Sequence, residues 1–176
     1  MSKIKLSKVF ILALIILSIT TAIMFVLINK NIVNDEGGGN AAKDLYSHKS
    51  KYIGDNSNIS NLLGLLPYAQ YKNGIELSTS TQPYGLKVFY DINNKDVDIL
   101  DLKNEFYNNA LIIFSLIENV DKIEFVTNRD GNSEVQYYDR KEIEASHIDN
   151  LYSYSVDLQT FENFLIDKVY SSSTDS

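Results

Sequence analysis

DLKNEFYNNALIIFSLIE, Asp101 to Glu118, is the stretch whose reading decides the fold. Leu102, Phe106, Ala110, Ile113, Phe114 and Ile117 recur at three- and four-residue steps, which puts them on one stripe of an α-helix. Leu111, Ile112 and Leu116 widen the stripe. A helix with so broad an apolar face needs cover around most of its circumference, so it is expected to be the central and most buried element.

The cover comes from both sides of the helix in sequence. Ile75, Leu77 and Thr79 alternate with Glu76, Ser78 and Ser80, the pattern of a half-buried strand. Pro83-Tyr84-Gly85 makes a turn, and Leu86, Val88, Tyr90 and Ile92 then alternate with Lys87, Phe89 and Asp91. The two runs are expected to pair as a hairpin. After the helix, Ile123 and Phe125 mark a third strand and Val135 and Tyr137 a fourth. Asn128-Arg129-Asp130-Gly131-Asn132-Ser133 supplies turn chemistry between them.

Further helices flank these hairpins. Asp55-Asn56-Ser57-Asn58 offers N-caps to a helix carrying Ile59, Leu62, Leu63 and Leu66, which Pro67 stops. Asp139 with Glu142 resembles a capping box opening a short helix around Ile143. Leu158, Phe161, Leu165 and Val169 define a last helix. The expected fold class is α+β: a mostly antiparallel sheet of about four strands, built from two hairpins, with helices packed on one face.

An N-terminal transmembrane helix precedes that domain. VFILALIILSITTAIMFVLI, Val9 to Ile28, is apolar and uncharged, and about 20 helical residues span a bilayer core of ~30 Å. Ser18-Ile19-Thr20-Thr21-Ala22 resembles a signal cleavage site, but the apolar run continues past it, so an uncleaved anchor is expected. Lys3, Lys5 and Lys8 precede the span without an acid, which favours a cytoplasmic N-terminus. The expected organisation is a cytoplasmic tail (1–8), an anchor (9–28), a flexible tether with three consecutive glycines (29–50), an extracytoplasmic domain (51–170) and a disordered tail (171–176). The expected location is the cell membrane, as a single-pass protein.

Charge bounds the partners. The 176 residues carry a formal charge of −7, and removing the three N-terminal lysines leaves −10 on the remainder. Such a domain repels nucleic acid and anionic polymers, so no nucleic-acid partner is expected. Cysteine is absent, which excludes disulfides, thiol catalysis and thiolate metal sites.

Lys51-Tyr52-Ile53-Gly54-Asp55-Asn56-Ser57, Leu66-Pro67, Ile75-Glu76-Leu77, Pro83-Tyr84-Gly85-Leu86 and Tyr90, with the later block Ala110 to Asp121, resemble a family. It is the bacterial domain-of-unknown-function family numbered 4825, and the resemblance covers about Lys51 to Leu165. Related domains occur in Gram-positive Firmicutes, alone behind one span or attached to antibiotic-sensing membrane peptidases or membrane anti-sigma factors. The resemblance implies a place in envelope-stress or antibiotic sensing and carries no activity to particular residues.

The candidate ligand-binding residues are Tyr52, Asp55 and Asn56, a polar corner at a helix N-terminus, and Tyr84, an aromatic at a turn. The alternative for each is local: capping for Asp55 and Asn56, turn packing for Tyr84. Tyr137, Tyr138, Tyr152 and Tyr154 raise a carbohydrate platform against ordinary strand packing. Asp130, Asn132 and Glu134 only partly match a calcium loop, and His48 and His147 lie too far apart to define a zinc site. No nucleophile elbow, phosphate loop or zincin helix is present. The expectation is therefore a non-enzymatic, membrane-anchored binding or interaction module. It has no catalytic residue, metal or cofactor, it sits in the membrane through its span, and it is read as having a membrane-protein partner. Its ligand is unspecified. The alternatives are a wall or peptide hydrolase using unrecognised carboxylates, and a structural subunit held in a membrane complex by the span.

Overall fold

The computed structural model describes residues 36–93, 97–146 and 150–171. The run Val9–Ile28, His147 and residues 172–176 lie outside them. Among the described residues no helix is long and apolar enough to cross a membrane. Contacts divide the chain into residues 1–40 and a compact unit, Ala41–Ser176.

The described residues form five α-helices: α1 Glu36–Tyr46, α2 Asn56–Gly64, α3 Ile99–Leu116, α4 Arg140–Ser146 and α5 Leu158–Phe164. The last runs on into a π-helical turn, Leu165–Tyr170, and 3-10 turns cover Ala69–Tyr71 and Leu151–Ser155. Four strands, β1 Lys72–Ser78, β2 Gly85–Asp91, β3 Lys122–Arg129 and β4 Asn132–Asp139, form one sheet in sequence order. The folded unit starts earlier than the tether boundary at Ser50. Ala42 and Leu45 on α1 are core residues, and Ser50 bridges to Ile117.

Both hairpins form, β1 with β2 and β3 with β4. They join through a parallel seam, Leu86 opposite Ile123 and Val88 opposite Phe125. The sheet is therefore mixed, which corrects the two-hairpin picture at its centre. The cause is α3. A helix connecting two neighbouring strands of one sheet carries the chain back to the end where it started, so the second strand runs parallel to the first.

Helix α3 occupies the predicted central place. Asp98 caps it, accepting from the N–H of Leu100 at 2.7 Å and of Asp101 at 3.3 Å. Every residue from Asn108 to Ile117 is buried, which the stripe alone did not require. The sheet covers one side and the Leu151–Ser155 turn with the C-terminal helix covers the other. The aromatic centre is Phe106, 4.7 Å from both Tyr90 and Phe125 between ring centroids. Tyr90, buried in this cluster, has its hydroxyl pKa raised by desolvation.

Alternation sorts the sheet faces. Leu86, Val88, Tyr90, Ile123 and Phe125 point to α3 and belong to the core. The other face carries Glu76, Lys87, Phe89, Glu124, Val126, Val135 and Tyr137, and no described helix covers it.

Candidate functional site

Two features adjoin each other: the open sheet face and a polar cleft at one end of it. Across the open face, Gly74, Phe89, Val126 and Val135 stand in one row of the register. Glu76, Lys87, Glu124 and Tyr137 form the next. Val126 is only 8 % exposed, because its neighbours on both flanking strands shield it, whereas Val135 is 54 % and Tyr137 46 % exposed on edge strand β4. Lys87 and Glu124 close an ion pair at 2.9 Å across the parallel seam, and Glu124 first of all raises the Lys87 pKa. Lys122 lies over the Tyr137 ring at 5.6 Å. Its pKa is raised, by Tyr137 first and then by Asp139 and Asp121. The face thus sets an apolar row, Phe89–Val126–Val135, beside a charged one, with its exposed apolar and aromatic side chains on the edge strand.

The cleft measures about 380 Å³ and is lined by Gln82, Pro83, Asp121, Lys122, Asp139 and Lys141. It lies where the β1–β2 connection meets the start of β3 and the end of β4. Its carboxylates are engaged locally. Asp121 accepts the N–H of Tyr84 at 2.8 Å, while the carbonyl of Tyr84 accepts from the N–H of Asp121 and of Lys122. Asp139 accepts the N–H of Lys141 at 2.9 Å, an ordinary N-cap bond in place of the expected capping box with Glu142, and the Tyr137 hydroxyl at 3.3 Å. Tyr84, predicted as a ligand contact, is half-buried against the core, and its backbone pins the turn beside the cleft.

Behind the cleft lies a buried cation that sequence reasoning missed. Arg140, 8 % exposed, donates from Nε to the carbonyl of Val120 at 2.7 Å and from Nη2 to that of Ile117 at 2.6 Å. Ile117 ends α3, so the guanidinium closes the negative end of the central helix. It also stacks 4.9 Å from the Phe114 ring and reaches Glu144 at 3.5 Å. Burial lowers the Arg140 pKa, and Glu144 leads the charges opposing that shift. A lone arginine after a strand carries no such signal in sequence. Only the fold brings the end of α3 to it.

The other predicted residues occupy the entry to α2. Tyr52 is 68 % exposed. Asp55 is the N-cap and accepts from the N–H of Asn58 at 3.0 Å, and Asn56 is the exposed first residue of the helix. The segment is tied down at Ile53, whose N–H meets the side-chain oxygen of Asn119 at 2.7 Å. Both this entry and the Tyr84 turn thus hang on Asn119–Asp121. No ring contact or hydrogen bond joins the Tyr84 side chain to Tyr52, Asp55 or Asn56 among the described residues.

The four tyrosines weighed as a platform do not share a surface. Tyr137 and Tyr138 point to opposite sheet faces, and Tyr138, desolvated beside Tyr107, has its pKa pushed up to about 12. Tyr154 stacks on Phe164 at 4.8 Å, and Tyr152 lies 4.9 Å from the Lys49 ammonium. Asp130 and Gly131 both have positive φ, 49° and 79°, so the calcium-like stretch is a tight hairpin turn. Among the described residues no group of acidic and histidine side chains is placed to hold a metal.

No curated protein and no solved structure matches the chain. The family described as Domain of unknown function (DUF4825) matches residues 45–139, from the end of α1 through β4, which takes in the whole sheet, the central helix and all but Lys141 of the cleft lining. That is more than half of the 176 residues, and the chain belongs to this family.

Proposed function

We propose that this chain is a membrane-anchored, extracytoplasmic interaction module that docks a partner protein on the open face of its sheet. The observation that carries the reading is the pair Val135 and Tyr137. Both are large and solvent-exposed on the edge strand, beside buried Val126 and next to the charges of Lys87, Glu124 and Lys122 on the central strands. An exposed aromatic such as Tyr137 is a typical binding anchor, and Val135 extends the apolar surface beside it. The apolar run Val9–Ile28 supports the anchor, and the lysines before it support the orientation. Family context favours an accessory role beside an envelope-stress or antibiotic-sensing membrane protein. Because Asp121 and Asp139 both hold backbone N–H groups, the cleft favours this reading over hydrolysis.

A photo-crosslinking residue placed at Tyr137 of the full-length protein, in its native membrane, tests the proposal. A reproducible membrane-protein adduct, lost when Val135 is changed to Asp, is the expected result. Adducts from a probe at Tyr52 but none at Tyr137 overturn it and move docking to the α2 entry.

A further inference from the structure

The two edges of the sheet differ. At β1 the pairing shifts register between Lys72 and Gly74, and the Lys72 ammonium donates to the carbonyl of Ser60 at 3.0 Å. Bulges and edge lysines of this kind block further pairing. Strand β4 has neither. Its eight residues match β3 one to one from Arg129–Asn132 to Lys122–Asp139, and Asn132 to Val135 and Tyr137 are exposed.

The turn fixes which backbone groups look outward. Positive φ at Asp130 and Gly131 defines a type I′ turn, which closes with a hydrogen bond between Arg129 and Asn132. Bonded and non-bonded pairs alternate from there, so the N–H and C=O groups of Ser133, Val135 and Tyr137 face away from β3. No described turn, loop or side chain bonds to them. A row of unpaired strand groups is satisfied by another extended strand.

We propose that β4 pairs antiparallel with β4 of a second copy of this chain, with Gln136 on the two-fold axis. The register argues for this occupant. With Gln136 facing its own mate, Val135 of each copy faces the partner's Tyr137, giving two aromatic–β-branched pairs, a favourable cross-strand combination. Glu134 faces Tyr138 and Ser133 faces Asp139, so no like charges meet within the strand. Centring on Val135 instead sets Tyr137 against Ser133, and centring on Tyr137 sets Val135 against Asp139. The chosen register continues the row Phe89–Val126–Val135 into the second copy and makes one eight-stranded sheet. This goes beyond the partner reading and does not depend on it.

The absence of cysteine makes the test direct. Full-length Gln136→Cys and Glu134→Cys are oxidised mildly in detergent at less than one chain per micelle. In the proposed register the Gln136 Cα atoms form a non-bonded pair at about 4.5 Å, within disulfide reach. Two copies of residue 134 are offset by four residues, about 14 Å along the strand, against a disulfide limit of ~7 Å. Gln136→Cys should form covalent dimer at least about tenfold faster than Glu134→Cys. Light scattering should give a dimer mass for the unmodified full-length protein and a monomer for Tyr137→Lys. Equal rates for the two cysteine variants, or a monomeric unmodified protein at high concentration, overturns the proposal. Loss of dimer with partner capture intact at Tyr137 separates its failure from that of the docking reading.

Discussion

Replacing Arg140 by Ala removes the only donors that the Ile117 and Val120 carbonyls receive from that side chain, and both residues are fully buried. A buried acceptor left without its partner costs about 1–3 kcal/mol. Two such carbonyls, with the lost contact to Phe114 and the lost positive charge at the end of α3, set a range whose centre is about 3–5 kcal/mol, that of breaking a buried ionic contact. Relief of the guanidinium's own desolvation is already inside that range. For a unit of this size the loss lowers the melting temperature by about 10–20 °C. Arg140→Lys keeps a charge but reaches one carbonyl at a time, and about half the cost should remain. Glu144→Gln should cost far less, ~0.5–1 kcal/mol, because Glu144 is partly exposed and sits at 3.5 Å. Thermal and urea unfolding followed by far-ultraviolet circular dichroism measures all three. An Arg140→Ala protein within about 1 kcal/mol of the native one refutes the view that this side chain locks the end of α3.

Phe106→Ala empties the space between Tyr90 and Phe125 and should cost about 3–5 kcal/mol in the same unfolding measurement, together with loss of near-ultraviolet tyrosine dichroism. Asp157 caps α5 through the N–H of Thr160 at 2.7 Å, and that bond lowers its pKa below the ordinary 3.8. A depressed carboxylate stabilises the fold above its unfolded pKa. The contribution of Asp157 is therefore complete above about pH 4 and lost as pH falls through the lower folded value. Asp157→Asn should flatten the acid limb of the stability profile below that point, which a denaturation series across acid pH reads directly.

The amino-acid sequence by itself determined the elements. The spacing of Leu102, Phe106, Ala110 and Ile113 makes α3 a helix in any context that buries it, and Asp55 starts α2 through its own carboxylate. Both hairpins follow from alternation and from Asp130-Gly131, whose residues accept positive φ. These signals act over a few residues and are legible in a string.

The tertiary structure decided what those elements share. The parallel seam between Leu86 and Ile123 arises because α3 returns the chain to the same end of the sheet, a consequence of packing and not of either strand's pattern. The helix of α1 was hidden by its glycines, and Ala42 and Leu45 show their role only where the core receives them. Among the candidate site residues, Asp55 and Asn56 were placed by local rules and Tyr84 by its turn. Arg140, Asp121 and the exposed pair Val135 and Tyr137 acquire their meaning from neighbours 20 to 37 residues distant in sequence or from the lack of any on an edge strand. Burial, desolvation and edge exposure are properties of a closed surface, and a sequence specifies that surface only once all its elements are packed.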